Sequence, residues 1–225
     1  MADTTALAKR RYRLGLSLFL GSTRWLRWVM LAWVVLTPFL SVLLISAIET
    51  GLWTITATVF QWFVACTAGM LLYQTLPGTL AKGVTRRELT VAYLVFGVLA
   101  SIGTAAIVTA GFAAEHALLA VFAEPLDTWG QTLADGARYV LIAPIYFFTG
   151  VLIGAAALRF GGNHWFTAIV LVAAAGHYAG ILALEFGSYD TAVAAWAAVA
   201  LAVTAVLVAG TAATLRSIPV RAKRV

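Results

Sequence analysis

The sequence predicts an all-α integral membrane protein with six transmembrane helices. Three observations carry that prediction. Of 225 residues, 62% are hydrophobic and only 11% charged, where a soluble domain carries about 25% charged residues. Six apolar stretches stand at about 25–48, 51–73, 89–112, 137–158, 164–185 and 191–214, each near the ~20 residues a helix needs to cross the hydrocarbon. The charges also sort by side. With the N-terminus inside, fourteen of the fifteen Lys and Arg residues are cytoplasmic and only Arg138 is external. Seven of the nine acids are external: Glu49, Glu115, Glu124, Asp127, Asp135, Glu185 and Asp190. The positive-inside rule then places both termini in the cytoplasm.

Taken in order, residues 5–23 set KRRYR at 9–13 before Leu14, Leu16, Leu18, Phe19 and Leu20. This segment is too short and too charged at its front to span, so it reads as an interfacial helix on the cytoplasmic leaflet. No small-residue cleavage site follows it, and no cleavable signal is expected. Pro38 and Pro144 fall inside the first and fourth spans, where they predict kinks and not ends. Asp135, Asn163 and Asp190 stand where N-caps are wanted for the last three spans. Two connections are long, the cytoplasmic 74–88 and the external 113–136. The external one, with Leu118 to Phe122 and Trp129, is expected to form short surface helices. Trp25, Trp28, Trp53 and Trp165 lie near span ends, as interfacial aromatics do.

The net charge of +6 therefore speaks for membrane anchoring, and nucleic acid is not an expected partner. Cys66 is the single cysteine. It excludes a disulfide framework within one chain and reads as a small buried apolar side chain. Twelve Arg against three Lys, with abundant Ala, hint at a GC-rich bacterial source and hence a multi-pass protein of the bacterial cytoplasmic membrane.

The segment 74–88, QTLPGTLAKGVTRRE, is the most informative. Pro77-Gly78 is expected to stop the preceding helix. Thr79 to Lys82 form one helical turn, and Gly83 suits a C-cap in the left-handed region. Thr85 and Glu88 form a capping box that starts the next helix. A short helix across the membrane face, with a span rising from its end, is the expected shape.

That arrangement, with its GVTRRE wording and the six-span layout, resembles the cytoplasmic coupling segment of ABC transporter permeases of the ABC type-2 exporter class. The resemblance implies a transport subunit and not an enzyme. It implies docking on separate ABC ATPase subunits through Leu80, Lys82, Gly83, Val84, Thr85, Arg86, Arg87 and Glu88. It implies a second six-span permease chain, the same or different, with the path between the two chains. ATP and Mg would be bound by the partner ATPase and no cofactor by this chain. No Walker A motif occurs in the sequence.

Other chemistry is sparse. Interior ionisable residues mark function in membrane proteins, and His177, in AAAGHYAGIL, is the one mid-span example. Gln61 and Tyr146 are the other polar side chains set to bond between helices or line a pathway. The GHYAG stretch is similar to that of rhomboid proteases, but the GxSG nucleophile motif is absent. Gly150/Gly154 and Gly176/Gly180 are small-xxx-small pairs suited to close helix packing. An alternative reading, an ATP-independent carrier or membrane scaffold, would centre on His177 and leave the 74–88 segment merely topological.

Overall fold

The computed structural model describes residues 4–45, 51–160, 164–187 and 192–218. Among the described residues the chain forms six α-helices and no strand. They are α1 (Thr4–Leu44), α2 (Leu52–Ala81), α3 (Arg86–Phe122), α4 (Trp129–Phe160), α5 (His164–Phe186) and α6 (Val193–Ser217). All six are long and apolar enough to cross a membrane, the pattern of a multi-pass membrane protein.

Close contacts fix the helix directions. Gly15 lies on Ala92 and Val95, and Phe19 lies beside Gly103, so α1 and α3 run parallel. Trp62 meets Tyr146 and Gly69 meets Gly150, so α2 and α4 run parallel. Leu152 lies on Gly210 and Arg159 donates to Ser217, so α6 follows α4. Gly97 lies against Phe147, and Gly136 against Thr109, so α3 and α4 are antiparallel. The chain thus runs alternately up and down, with α4 central, packed on α2, α3 and α6. Arg10, Arg11, Arg13, Lys82 and Glu88 line one cleft at what we call the basic end. Glu115, Asp127 and Asp135 line another at the acidic end.

The core is aromatic. Trp53 is fully buried. Its ring stacks on Trp33 with centroids 4.6 Å apart, and its indole N–H donates to the Val108 carbonyl at 2.9 Å. Gly111 faces this ring so closely that a Cβ there would lie 1.8 Å from it. Trp53 is therefore a core residue and not an interfacial aromatic. Trp25, Trp28 and Trp165 are exposed.

Several boundaries differ from the sequence expectation. Residues 5–23 are no separate interfacial helix; they belong to the continuous 41-residue α1. No breaker separates the two parts, and Leu14, Leu18 and Phe19 pack on the core, which draws this segment into the bundle. Proline does not stop α2 at Pro77, since the helix continues to Ala81. The missing N–H of one proline is outweighed by Leu76, buried on one side of it, and Leu80, packed on the other. Cys66 is exposed, not buried, because its face of α2 looks out of the bundle.

The connection 113–136 is mostly helix and not a loop with short surface helices, for α3 runs to Phe122 and α4 starts at Trp129. Glu115 explains the first extension. It is only 5% exposed, and its Oε1 accepts the Trp53 N–H at 2.9 Å. A carboxylate there meets the free N–H groups and positive dipole end of α2. Gly51 makes room, since a Cβ there would stand 2.6 Å from Glu115 Oε2. The second extension starts from Thr128. Gln131 Oε1 accepts from the Thr128 N–H and hydroxyl at 3.0 and 2.8 Å, and the Gln131 N–H donates back at 3.4 Å, a capping box. Asp135 is therefore inside α4, 3.5 Å from Arg138, and not an N-cap. Asn163 and Asp190 lie outside the described residues.

Candidate functional site

Two groups of side chains stand out, one at the basic end and one in the seam between α2, α4 and α5. The first is the α2–α3 connection. Gly83 has φ 77°, a left-handed conformation that L side chains adopt only at a cost. Its N–H donates to the Leu80 carbonyl at 3.0 Å, and the Val84 N–H donates to Thr79 at 3.2 Å. This pair of bonds is the Schellman ending of a helix. The capping box then starts α3. The Glu88 N–H donates to the Thr85 hydroxyl at 3.2 Å, and Glu88 Oε2 accepts from the Thr85 N–H and hydroxyl at 2.9 Å each. One helix ends and the next begins within four residues, Lys82 to Thr85, so no transverse helix forms. Leu80 and Val84 fold back on the core, while Lys82, Gly83, Thr85 and Arg87 are exposed.

Arg86 and Arg87 part company here. Arg86 is half-buried, and its guanidinium donates to the Arg216 carbonyl at 3.1 Å. A cation at the C-terminus of α6 satisfies free carbonyls and the negative end of the helix dipole. Arg159 donates to the Ser217 hydroxyl one residue on. The basic ends of α3, α4 and α6 are thereby tied together, and Arg87 is left facing outward with Lys82.

The second group centres on Glu185, fully buried near the end of α5. Its Oε1 accepts from Thr58 of α2 at 2.7 Å and from the Tyr139 phenol of α4 at 2.8 Å. Its Oε2 accepts from the Tyr146 phenol at 2.6 Å. A carboxylate carries enough lone pairs for three hydroxyls, so the cluster is closed. Arg138 donates to the Glu185 main-chain carbonyl at 2.9 Å. One helical layer further toward the basic end, His177 Nε2 meets the Thr149 hydroxyl at 2.8 Å, and that hydroxyl donates to the Ile145 carbonyl at 2.7 Å. Donating to Ile145 leaves the Thr149 oxygen to accept an Nε2–H. Tyr178 and Tyr146 both set an edge against Trp62. Gln61 is fully buried on α2, and neither its amide oxygen nor its nitrogen has a partner among the described residues.

Tyr146 and His177 thus share one seam, but the carboxylate that organises it was absent from the sequence-derived candidates, as were Thr58 and Tyr139. Glu185 closes an apolar run and so reads as an external loop acid. The available clue was Tyr139 and Tyr146, seven residues apart and on one face of α4, opposite a span ending in Glu. Of the small-residue pairs, Gly150 and Gly154 lie against Ala65 and Gly69 of α2. A Cβ at Gly150 would stand 1.9 Å from the Ala65 carbonyl oxygen. Gly176 and Gly180 face open space.

Among the described residues no cluster of three or more His, Cys, Asp or Glu side chains is placed to hold a metal ion. Comparison with family models, with curated proteins and with solved structures finds no match to this chain.

Proposed function

We propose that this chain is the membrane-spanning subunit of an ATP-driven exporter, working as a pair of six-span chains with separate ATPase subunits. The observation that carries the reading is the α2–α3 connection. It is a stiff turn, closed by a Schellman bond pair on one side and a capping box on the other, and it presents Lys82 and Arg87 outward. Such a turn passes a push from a docked partner into two helices without absorbing it by bending. Arg86 extends the push to α6 through the Arg216 carbonyl. In this reading the basic end faces the cytoplasm, as the positive-inside rule asks, and the seam around Glu185 stands toward the exit side.

The test is a pull-down of the tagged full chain in mild detergent. A soluble ATPase is expected with the wild type and is lost from Lys82→Glu/Arg87→Glu. Recovery of no ATPase, or recovery indifferent to the turn, would overturn the coupling role. A second reading has its own observation. The Glu185 cluster and the His177–Thr149 pair lie along one seam, as a proton-coupled carrier would use them. That carrier would move its substrate on a proton gradient in vesicles holding this chain alone, with Lys82 and Arg87 dispensable.

A further inference from the structure

Arg24 and Arg27 stand one turn apart on α1, and both side chains are exposed. Trp25 and Trp28 beside them are 75% and 68% exposed. Packing sets their level in the bundle. Phe19 lies beside Gly103, and Met30 shares a cleft with Ile107. Between these contacts, Arg24 and Arg27 are level with Gly103 to Ile107, well inside the apolar run of α3, Leu89 to Phe112, and not at the cytoplasmic side where the sequence counts them. The basic end lies at Arg13, which shares a cleft with Lys82 and Glu88. From Arg13 to Arg24 the helix rises about 16 Å, too far for a side chain to carry its charge back to the interface.

Charge at this depth is expensive, and intramembrane arginines pair, face a bundle interior or line a water-filled cavity. Among the described residues of one chain these two do none of these. Among the described residues neither has an ion-pair partner; Arg27 leans on its own neighbour Trp28, 5.2 Å from the ring centre. No described acid shares their level. Glu88 caps α3 at the basic end, and the rest, Glu185 included, lie toward the acidic end. A second copy would bring two more arginines and no carboxylate, so two such faces meeting would leave four cations in want of an anion.

We propose that the Arg24–Arg27 face of α1 lines the translocation path and holds the phosphate or carboxylate head of an anionic, lipid-like substrate. Guanidinium groups bind both head types through paired N–H donors. An apolar cleft where α1 and α3 meet α2 and α4, lined by Phe19, Leu26, Met30, Val64, Phe96 and Ile107, offers a slot for the alkyl chain. Leu26 and Arg27 are successive residues, about 100° apart round the helix, which makes the head and tail positions adjacent. The inference rests on the permease reading for the path itself, but its test involves no ATPase.

The test labels the full chain carrying Cys66→Ser with either Arg24→Cys or Arg27→Cys, in phosphatidylcholine vesicles, with an anionic water-soluble thiosulfonate. Labelling is expected at both positions. Dodecyl phosphate below its micellar concentration should slow it about tenfold, the scale of a charge-assisted bond, and dodecyl maltoside should not. No labelling at either position would mean that lipid or another protein chain covers this face, and would overturn the proposal. Equal protection by the neutral compound would do the same. Native mass spectrometry gives a check free of cysteine variants. The wild type should retain dodecyl phosphate, Arg24→Gln/Arg27→Gln should lose it, and Arg10→Gln/Arg11→Gln/Arg13→Gln should keep it. Loss from the basic-end variant alone would move the anion to the interface and sink the assignment. Failure to recover an ATPase would leave these results standing and would remove the export reading only.

Discussion

α2 and α5 both pack on α4, and they hold to it by different physics. The α2–α4 contact is a contact of backbones. Ala65 and Gly69 meet Gly150 and Gly154 so closely that one added methyl would collide with a carbonyl. Lipid tails are as apolar as leucine, so dense packing of small residues is what drives such a pair together. The α4–α5 contact is made by side-chain tips. Glu185 gathers two tyrosines and a threonine, His177 meets Thr149, and Gly176 and Gly180 look into empty space. Little of the apolar stretch of α5 is buried, against most of that of α4. A close-packed contact is hard to open by degrees. A contact held by a few hydrogen bonds can open when those bonds change partners. In an exporter, α5 is the helix better suited to move and α2–α4 the frame it moves against.

Substitutions can break or sharpen this contrast. The largest effect is expected from Glu185→Leu, which strands two buried phenols and the part-buried Thr58 hydroxyl. Leaving a buried donor without its acceptor costs about 1–3 kcal/mol for each group, and here no charge is stranded, because Arg138 bonds the main-chain carbonyl of residue 185. The measure is the unfolding midpoint in mixed dodecyl maltoside and dodecyl sulfate micelles, with Glu185→Gln losing less because an acceptor oxygen remains. An unchanged midpoint would show that the polar cluster is not what holds α5. Next comes the pair Gly150→Val and Gly176→Val. The first overpacks a filled contact, at about 1–3 kcal/mol or more; the second should fall within about 0.5 kcal/mol, as at an open surface. Equal costs at the two positions would mean that another chain covers α5. The smallest of the three is Thr149→Val, which removes one hydrogen bond worth about 1 kcal/mol. Combined with His177→Ala it should cost little more than either change alone. Additive costs would show the pair to be uncoupled.

Much of the architecture was legible in one dimension. Six apolar runs of span length, the sorting of Lys and Arg from Asp and Glu, and the Thr85–Glu88 box are local or compositional facts, and the helices and the box are present where expected. Boundaries were less legible. Residues 5–23 and 113–136 look polar enough to leave the bundle, but Phe19 finds the face of α3 and Glu115 finds the free N–H of Trp53, and each partner is distant in sequence. The seam was half legible. Tyr146 and His177 could be picked out as polar residues within apolar runs. Glu185 could not, because an acid at the end of a run looks the same whether it faces solvent or turns inward to three hydroxyls.

By itself the sequence determined the class of protein, the number of helices long and apolar enough to span a membrane, and the chemistry of the α2–α3 turn. Each of these depends on residues within one helix length of one another, where hydrophobicity, capping and backbone freedom act directly. Tertiary structure alone decided which glycines are packed and which are open, that Trp53 and Glu185 are interior, and that Arg24 and Arg27 stand level with the middle of α3. Those facts depend on the register of one helix against another. Register is set by the shapes of two distant faces meeting, which no single stretch of chain contains.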